Sequence, residues 1–334
     1  MNKRTILTLT LALLLLLLPL TACSGGGDEG GEEGALRDVT VILDYIANTN
    51  HTGMYVAQKL GYYEEEGLSV TITEPADGVT PTLIAAGKGD FGVSYQEDLT
   101  YARASEDPLP IKAIATLIQH NTSGIASLQS KGIETVADFA GKTYAGWGSP
   151  AEEAILKAVM ASAGLDPAQL KIITSDSVSY FGLESEYDLI WLFEAWDAIA
   201  ASRDGLALNY IALRDLDTRL DYYTPILLTS ESMLENDPEL VRAFLRATRK
   251  GYEYAMQNPE EAAGILHETA STYDLEMLIE SQNYLTDKYV EDAPRWGEMK
   301  AEVWSGYTDF MLEHQLIDRA VPAEECFTNE FLPE

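Results

Sequence analysis

The alternation of strand-like and helix-like segments between residues 39 and 213 is the feature that most constrains the fold. Short runs rich in apolar and β-branched residues alternate with segments whose apolar residues recur at helical spacing. This alternation is typical of βαβ units and of a mostly parallel sheet. In the first half, the predicted strands are 39–45, 68–73, 91–95 and 111–118, and the predicted helices are 53–60, 80–86 and 97–104.

A second set of strands follows, and the chain then becomes helical. The predicted strands of this set are 124–128, 143–147, 170–174, 187–193 and 206–213. A helix over 150–163 begins after Ser149, and Glu152 stands where a capping box needs its acid. Beyond Thr229, apolar residues at helical spacing predict helices over 240–256, 260–269, 274–288 and 296–315.

These patterns predict an α/β protein with two lobes and a helical C-terminal tail that packs on the first lobe. We assign residues 38–121 and 229–334 to lobe 1 and residues 122–228 to lobe 2. A chain of this length can form two separate cores. Ligands of such sheets bind in the crevice at the carboxyl ends of the strands. We therefore expect a cleft between two lobes that are joined by hinge segments.

Residues 1–22 predict a bacterial signal peptide. A positively charged start precedes an apolar run over 7–20, which is shorter than the roughly 20 residues of a membrane-spanning helix. The residues Leu-Thr-Ala directly before Cys23 resemble a lipobox, in which that cysteine receives lipid. Residues 23–37 would then be the lipidated cysteine and a flexible Gly/Glu-rich linker, and the protein would be extracytoplasmic and membrane-anchored. The alternative is an ordinary secretory signal with a chance cysteine.

Composition argues against several partners and kinds of site. The formal net charge of −32 repels phosphate backbones, so we expect no nucleic acid partner. Cys23 and Cys326 are the only cysteines, so with Cys23 lipidated we expect no disulfide, structural zinc or iron–sulfur cluster. The four histidines lack metal-ligand spacing, and the sequence has no nucleophile elbow, phosphate loop or His-Glu-x-x-His motif. We expect no catalytic residues, metal or cofactor.

Polar and aromatic side chains gather at five places where a predicted strand ends or the lobes join. The candidate ligand-binding residues are Asp44, Tyr45, Asn48, Asn50 and His51 after the first strand, Tyr95, Gln96 and Glu97 after the third, Gln119, His120 and Asn121 between the lobes, Trp147 between two glycines, and Glu194 with Trp196.

Each of these places also has a structural explanation. Asn50 or Thr52 would cap the following helix while Asn48 shapes the turn. Residues 119–124 would form a hydrated hinge loop, and Trp191 is better explained as a core residue. Glu194 would favour the N-terminal dipole of the helix that begins there.

Four stretches resemble, in the same order, the binding proteins for thiamine pyrimidine precursors. They are 44–57, which begins Asp-Tyr-Ile-Ala-Asn-Thr-Asn-His-Thr-Gly, then 91–97, 118–124 and 191–196. The resemblance runs from about residue 39 to 300. It implies a type II periplasmic-binding-protein fold, a ligand such as hydroxymethylpyrimidine or formylaminopyrimidine, and delivery to an ABC transporter permease. Glu194 departs from the pattern, because many relatives carry Tyr there.

Two other functions are alternatives. A binder of the same fold for a sulfonate, nitrate or amino-acid-like anion would need a cationic clamp, and the candidate clusters contain neither Arg nor Lys. Eukaryotic relatives in the superfamily are enzymes that make the pyrimidine and carry a cysteine-rich iron motif. This chain has no cysteine between Cys23 and Cys326. We therefore expect a non-enzymatic, monomeric binding protein.

Overall fold

The computed structural model describes residues 35–75, 79–175 and 178–334. Residues 36–334 form one compact unit. Within the described ranges, none of the helices has both the length and the apolar character needed to cross a membrane. The predicted signal peptide and the predicted lipid site Cys23 lie outside the described residues.

The first sheet has five strands and is parallel apart from one strand. Its members are β1 (Arg37–Ile42), β2 (Leu68–Thr73), β3 (Phe91–Ser94), β4 (Ile111–Thr116) and β10 (Ile226–Ser230), in the order β2-β1-β3-β10-β4. β1 pairs in parallel with β2 and β3, whereas β10 runs antiparallel to both of its neighbours. The carboxyl ends of β1 and β3 therefore meet at one edge of this sheet.

The second sheet also has five strands. Its members are β5 (Ser123–Leu128), β6 (Thr143–Gly146), β7 (Lys171–Thr174), β8 (Leu189–Phe193) and β9 (Leu208–Ala212), in the order β7-β6-β8-β5-β9. β6 is parallel to β7 and β8, and β5 is antiparallel to β8 and β9. Two mixed sheets with covering helices confirm the predicted α/β fold class.

Helices cover both sheets. Those before β10 are α1 (Thr52–Lys59), α2 (Tyr62–Glu65), α3 (Thr80–Ala85), α4 (Gln96–Ala104), α5 (Pro150–Ser162), α6 (Ile199–Arg203) and α7 (Leu213–Leu216). Those after β10 are α8 (Glu231–Asn236), α9 (Pro238–Gln257), α10 (Pro259–His267), α11 (Leu275–Leu285), α12 (Ala301–Glu313) and α13 (Ala323–Cys326).

Strand β10 was missed by the sequence analysis. It is a five-residue run directly after Pro225, and it pairs with the first sheet from Ile226 onward. Residues 226–228, which we assigned to lobe 2, therefore hydrogen-bond within the first sheet. The division of the chain into lobes at 121/122 and 228/229 stays a prediction.

The tail reaches further than the first lobe. Residues of α9, α10 and α11 share a core with β1 and β3, as expected from a tail that packs on the first sheet. Helix α12, however, places Tyr307 and Phe310 in the core that holds Tyr144 of β6. The same helix places Trp304 in a third cluster with residues of the first sheet. α12 thus packs against both halves of the molecule, which corrects the expectation of packing on the first lobe alone.

Helices α1 and α9 pack unusually closely, because both carry glycine at the contact. A Cβ atom at Gly251 would lie 1.9 Å from the carbonyl oxygen of Gly53. A Cβ atom at Gly53 would lie 2.3 Å from the ring of Tyr252. The hydroxyl of Tyr252 donates to the carbonyl of Asn50, at a distance of 2.7 Å. This contact fixes the loop that follows β1.

Candidate ligand-binding site

A buried Asp44–His51 pair lies just beyond β1. Nε2 of His51 is 2.7 Å from Oδ1 of Asp44, and the two side chains are 0% and 6% exposed. Nδ1 of His51 accepts the backbone N–H of Asn48 at 3.2 Å. In the neutral ring the proton therefore lies on Nε2, which donates to Asp44. The pair orients a carboxylate at the edge of the first sheet.

Tyr95, at the end of β3, extends this pair. It hydrogen-bonds Asp44, and burial together with the charge of Asp44 raises the pKa of Tyr95 well above its usual range. Burial on its own would raise the pKa of Asp44, but the interaction with His51 and the hydrogen bond from Tyr95 hold it below its usual value. Asp44 is therefore ionised, and both partners donate to it.

Glu97 lies in the first turn of α4 and is half-buried. Its Oε2 accepts the hydroxyl of Tyr307 from α12 at 2.7 Å. Burial, with a smaller contribution from the charges of Asp98 and Glu152, raises the pKa of Glu97 to about 7 against the hydrogen bond from Tyr307. Near neutral pH, this carboxyl group is therefore divided between its protonated and ionised forms.

Glu152, in the first turn of α5, supplies a carboxylate from the second sheet. Its Oε2 accepts the backbone N–H of Gly148 at 2.7 Å, and its Oε1 accepts the hydroxyl of Tyr144. Ser149 Oγ caps the helix by accepting the N–H of Glu152, as predicted. The return bond of the predicted capping box goes instead to Gly148, one residue earlier. A Cβ at Gly146 would lie 1.8 Å from Oε1 of Glu152, so only glycine fits beside this carboxylate.

Glu97, Asp98 and Glu152 form an acidic group that joins the edges of the two sheets. Burial raises the pKa of Asp98, and the charge of Asp44 adds to the shift against the hydrogen bond from Ser94. Among the described residues, hydroxyl and backbone N–H groups donate hydrogen bonds to these three carboxylates, and neither Lys nor Arg pairs with them. The group can therefore accept hydrogen bonds or positive charge from a ligand.

Glu194 and Trp196 lie in a π-helical turn, Glu194–Ala198, directly after β8. Oε2 of Glu194 accepts the hydroxyl of Tyr284 from α11 at 2.7 Å. The Trp196 ring lies edge-on to Tyr273, with 4.8 Å between the ring centroids. The carbonyl of Ala195 accepts Ser281 Oγ–H, and Ser281 also hydrogen-bonds Thr49.

These last contacts place the turn after β8 beside the loop after β1. The Asp44–His51 loop thus has the acidic group on one side and the Glu194–Trp196 turn on another. Two aromatic side chains near these groups are exposed: Tyr45 at 61% and Trp147 at 52%. Trp147 lies edge-on to Trp191, with 5.4 Å between the centroids. Trp191 itself is buried in the core of the second sheet, in agreement with its interpretation as a core residue.

The remaining candidates are engaged in internal hydrogen bonds. Asn48 caps the short helical turn Thr49–His51, whereas α1 begins after His51 without a side-chain cap, so the predicted cap by Asn50 or Thr52 is wrong. The Gln96 side chain is fully buried between the carbonyl of Val303 and the N–H of Tyr223. The amide of Gln119 donates to the carbonyl of Glu298.

The other two residues of the predicted hinge cluster are engaged as well. The side chain of Asn121 donates to the carbonyl of Leu220 and accepts from Ser123. His120 lies between two carboxylates, those of Asp221 and Asp292.

Sequence reasoning missed four residues at the site: Asp98, Glu152, Tyr144 and Tyr307. Asp98 adjoins a candidate, and Glu152 was recognised only as part of a helix cap. The hydroxyl of Tyr307 comes from the tail, 210 residues away from Glu97. No local pattern connects residues so far apart, so this contact could be found only in the folded chain.

The two mixed sheets with their covering helices form a periplasmic-binding-protein fold. The periplasmic aliphatic sulphonate binding protein SsuA of Escherichia coli superposes with a TM-score of 0.69 at 15% identity, over 89% of this chain and 94% of that one. At that identity the likeness concerns the fold. The NMT1/THI5 like family model matches residues 48–262, and the chain belongs to this family.

Two named relatives show the range of the family. The formylaminopyrimidine-binding protein of Halalkalibacterium halodurans is 28% identical, over 98% of this chain and 99% of that protein. The 4-amino-5-hydroxymethyl-2-methylpyrimidine phosphate synthase of Legionella pneumophila is 26% identical, over 89% of this chain and 92% of that protein. The family thus contains both a named binding protein and a named synthase.

Proposed function

We propose that this protein is an extracytoplasmic solute-binding lipoprotein that captures a thiamine pyrimidine precursor, hydroxymethylpyrimidine or formylaminopyrimidine, for import by an ABC transporter. The observation that carries the proposal is the acidic group of half-buried Glu97 and Asp98 and buried Glu152, whose partners among the described residues include no cation. Such a group favours a ligand that donates hydrogen bonds or carries positive charge. It disfavours sulfonate, nitrate and amino-acid-like anions.

An aminopyrimidine has the chemistry that this site requires. Its exocyclic amine donates hydrogen bonds, and its ring nitrogens are basic enough to share a proton with a carboxylate. A charge-assisted hydrogen bond of this kind contributes about 1.5–3 kcal/mol. The flat ring can stack on Trp147 or Tyr95, which adds ~0.5–1.5 kcal/mol beyond the area that is buried.

A second candidate function is synthesis of the pyrimidine, which the named synthases in the family favour. The iron motif expected of such enzymes needs several cysteines, and none lies between Cys23 and Cys326. Cys326 is buried among apolar side chains, and burial raises the pKa of its thiol to about 12. Such a thiol is a poor metal ligand. We therefore favour binding without turnover.

Ligand-dependent melting tests the proposed class of ligand. A ligand that binds only the folded state stabilises it by about 2.7 kcal/mol at a concentration of 100 times Kd. Hydroxymethylpyrimidine or formylaminopyrimidine should therefore raise the Tm, whereas taurine, nitrate and glutamate should not. A shift with one of the anions and none with the pyrimidines would refute the ligand class.

The role of Glu194 is tested separately, because two structural accounts compete. If its carboxylate binds the ring nitrogen and amine of the ligand, Glu194→Gln should weaken binding about tenfold to a hundredfold, at 1.4 kcal/mol per decade. If it only favours the start of the helical turn, the variant should lower the Tm with nearly unchanged affinity.

Tyr284→Phe is the matched control, since it removes the hydrogen bond to Glu194 and keeps the charge. Calorimetric titration beside a thermal melt separates the two accounts. Unchanged affinity in Glu194→Gln removes this residue from the proposed site.

A further inference from the structure

His120 joins three segments of the chain that are far apart in sequence. It lies in the segment 117–122, which connects β4 of the first sheet to β5 of the second. Its Nδ1 is 2.6 Å from Oδ2 of Asp221, which lies just before the chain returns to the first sheet through β10. Its Nε2 is 3.1 Å from Oδ1 of Asp292, which lies between α11 and α12.

Both crossings between the sheets are therefore tied together at one imidazole. The backbone N–H of Asn121 donates to Oδ1 of Asp221 at 2.9 Å, so the Asp221 carboxylate holds the first crossing at two points. The N–H of Leu117 donates to the carbonyl of Pro225, at 3.0 Å, and further links the two crossings. In two-lobed proteins the crossings absorb the rotation that opens the cleft.

Only the doubly protonated ring satisfies both carboxylates. A neutral imidazole has one N–H, so it donates to one aspartate and directs the lone pair of its other nitrogen at the second. A lone pair that faces a carboxylate oxygen at about 3 Å is repulsive, so one of the two contacts must open when the ring loses its proton.

We propose that His120 is a proton-dependent clamp on the two crossings. Its imidazolium holds the segment 117–122, Asp221 and Asp292 together. Loss of the proton releases one of the aspartates, and the lobes then open more readily. This inference goes beyond the proposed function, since it concerns the motion of the ligand-free protein and holds for any ligand.

The charged groups around His120 support this proposal. The hydrogen bond to Asp221 raises the pKa of His120, against a smaller effect of burial, and Asp292 and the charge of Glu291 raise it further. Lys300 pairs with the other oxygen of Asp292 at 2.9 Å and holds that carboxylate in place. Tyr223, the other titratable neighbour, has a raised pKa and stays neutral in this pH range.

The sign of the pH dependence follows from the raised pKa of His120. The protonated ring stabilises the folded protein. This stabilisation is complete below the ordinary histidine pKa of about 6.5, and it is lost as the pH rises through the raised pKa of the folded state. The clamp should therefore be closed at pH 6 and should loosen as the pH rises through the raised pKa of His120.

Hydrogen exchange of the ligand-free protein tests the clamp. Protection factors of the amides in 117–122 and 219–225, corrected for intrinsic exchange, should fall roughly tenfold to a hundredfold from pH 6 to pH 9. This is the order expected for one charge-assisted hydrogen bond. Amides of the β5–β8 pair serve as the internal reference, because they lie outside the crossings.

Three variants separate the clamp from other titrations. His120→Gln should abolish the fall, because Gln does not titrate. Asp292→Asn should reduce the fall in protection, because a neutral His120 can then donate its single N–H to Asp221 without facing a second carboxylate. His267→Gln, a histidine of α10 outside both crossings, should retain the fall of the unmodified protein.

A protection factor that stays equal from pH 6 to pH 9 in the unmodified protein would overturn the proposal. An undiminished fall in His120→Gln would overturn it as well. Neither outcome affects the proposed ligand class, because no ligand is present in these experiments.

Discussion

Replacing Glu97 by Gln should stabilise the protein at alkaline pH. Burial and the neighbouring charges of Asp98 and Glu152 together raise the pKa of this carboxyl from 4.5 to about 7. Gln has the same shape, and its oxygen can still accept the hydroxyl of Tyr307. The substitution therefore removes the cost of ionising a buried group and leaves the packing and the hydrogen bond in place.

The magnitude follows from proton linkage. The pKa of Glu97 is about 7 in the folded state, and its ordinary value is 4.5. At 1.36 kcal/mol per pKa unit, ionised Glu97 therefore lowers the free energy of unfolding by at most about 3.4 kcal/mol. Because the pKa is raised, the folded state binds the extra proton. The destabilisation by Glu97 is therefore absent below pH 4.5, grows between pH 4.5 and 7, and is constant above pH 7. Relative to the unmodified protein, Glu97→Gln should gain about 2–3 kcal/mol at pH 8 and almost nothing at pH 4.5.

Urea unfolding of both proteins at pH 4.5, 6 and 8 measures this difference. Taking the difference at each pH cancels the titration of His120, which both proteins share. Glu302→Gln is the matched control, because Glu302 also lies in the first turn of a helix but is exposed. It should be neutral or slightly destabilising at pH 8, since it removes a favourable charge at a helix N-terminus. If Glu97→Gln gains no more stability at pH 8 than at pH 4.5, Glu97 ionises freely and the account of the buried acidic group is wrong.

Two further predictions concern packing and the membrane anchor. Gly251→Ala should lower the free energy of unfolding by roughly 1–3 kcal/mol in urea melts, because the added methyl group overlaps the carbonyl of Gly53. Gly264→Ala is the control: its methyl group meets no atom within 4 Å, so this variant should be neutral or stabilised by up to about 1 kcal/mol. Equal stability of the two variants would contradict the close contact of α1 and α9. Cys23→Ser should move the protein from the membrane fraction to the soluble fraction of its host. Continued membrane association without lipid labelling would refute the anchor.

The fold could be predicted from sequence because its signals are local. Each strand of the two sheets except β10 was expected from alternating periodicities, and the predicted and observed boundaries differ by at most three residues. β10 escaped because five residues after a proline give too little pattern to distinguish a strand from a loop. Its place between β3 and β4 depends on pairing with residues more than 100 positions earlier, which periodicity does not encode.

The site was harder to predict, because the same residue types cap helices and bind ligands. The carboxyl ends of the strands correctly indicated where polar groups gather, and Asp44, Tyr95 and Glu97 lie together there. Gln96 and Asn121 have equally suitable chemistry, but their side chains are used within the fold. Which polar residue remains free depends on contacts from distant segments.

The acidic group can exist without cations because of where its members stand. Glu97 and Glu152 both lie in the first turn of a helix, where the helix dipole favours negative charge. Tyrosine hydroxyls and the N–H of Gly148 supply the remaining hydrogen bonds. A lysine or arginine in the same place would neutralise the carboxylates and occupy the oxygens that a ligand must reach. Holding them with dipoles and neutral donors preserves their negative potential, which under the proposed function attracts an aminopyrimidine and repels an anion.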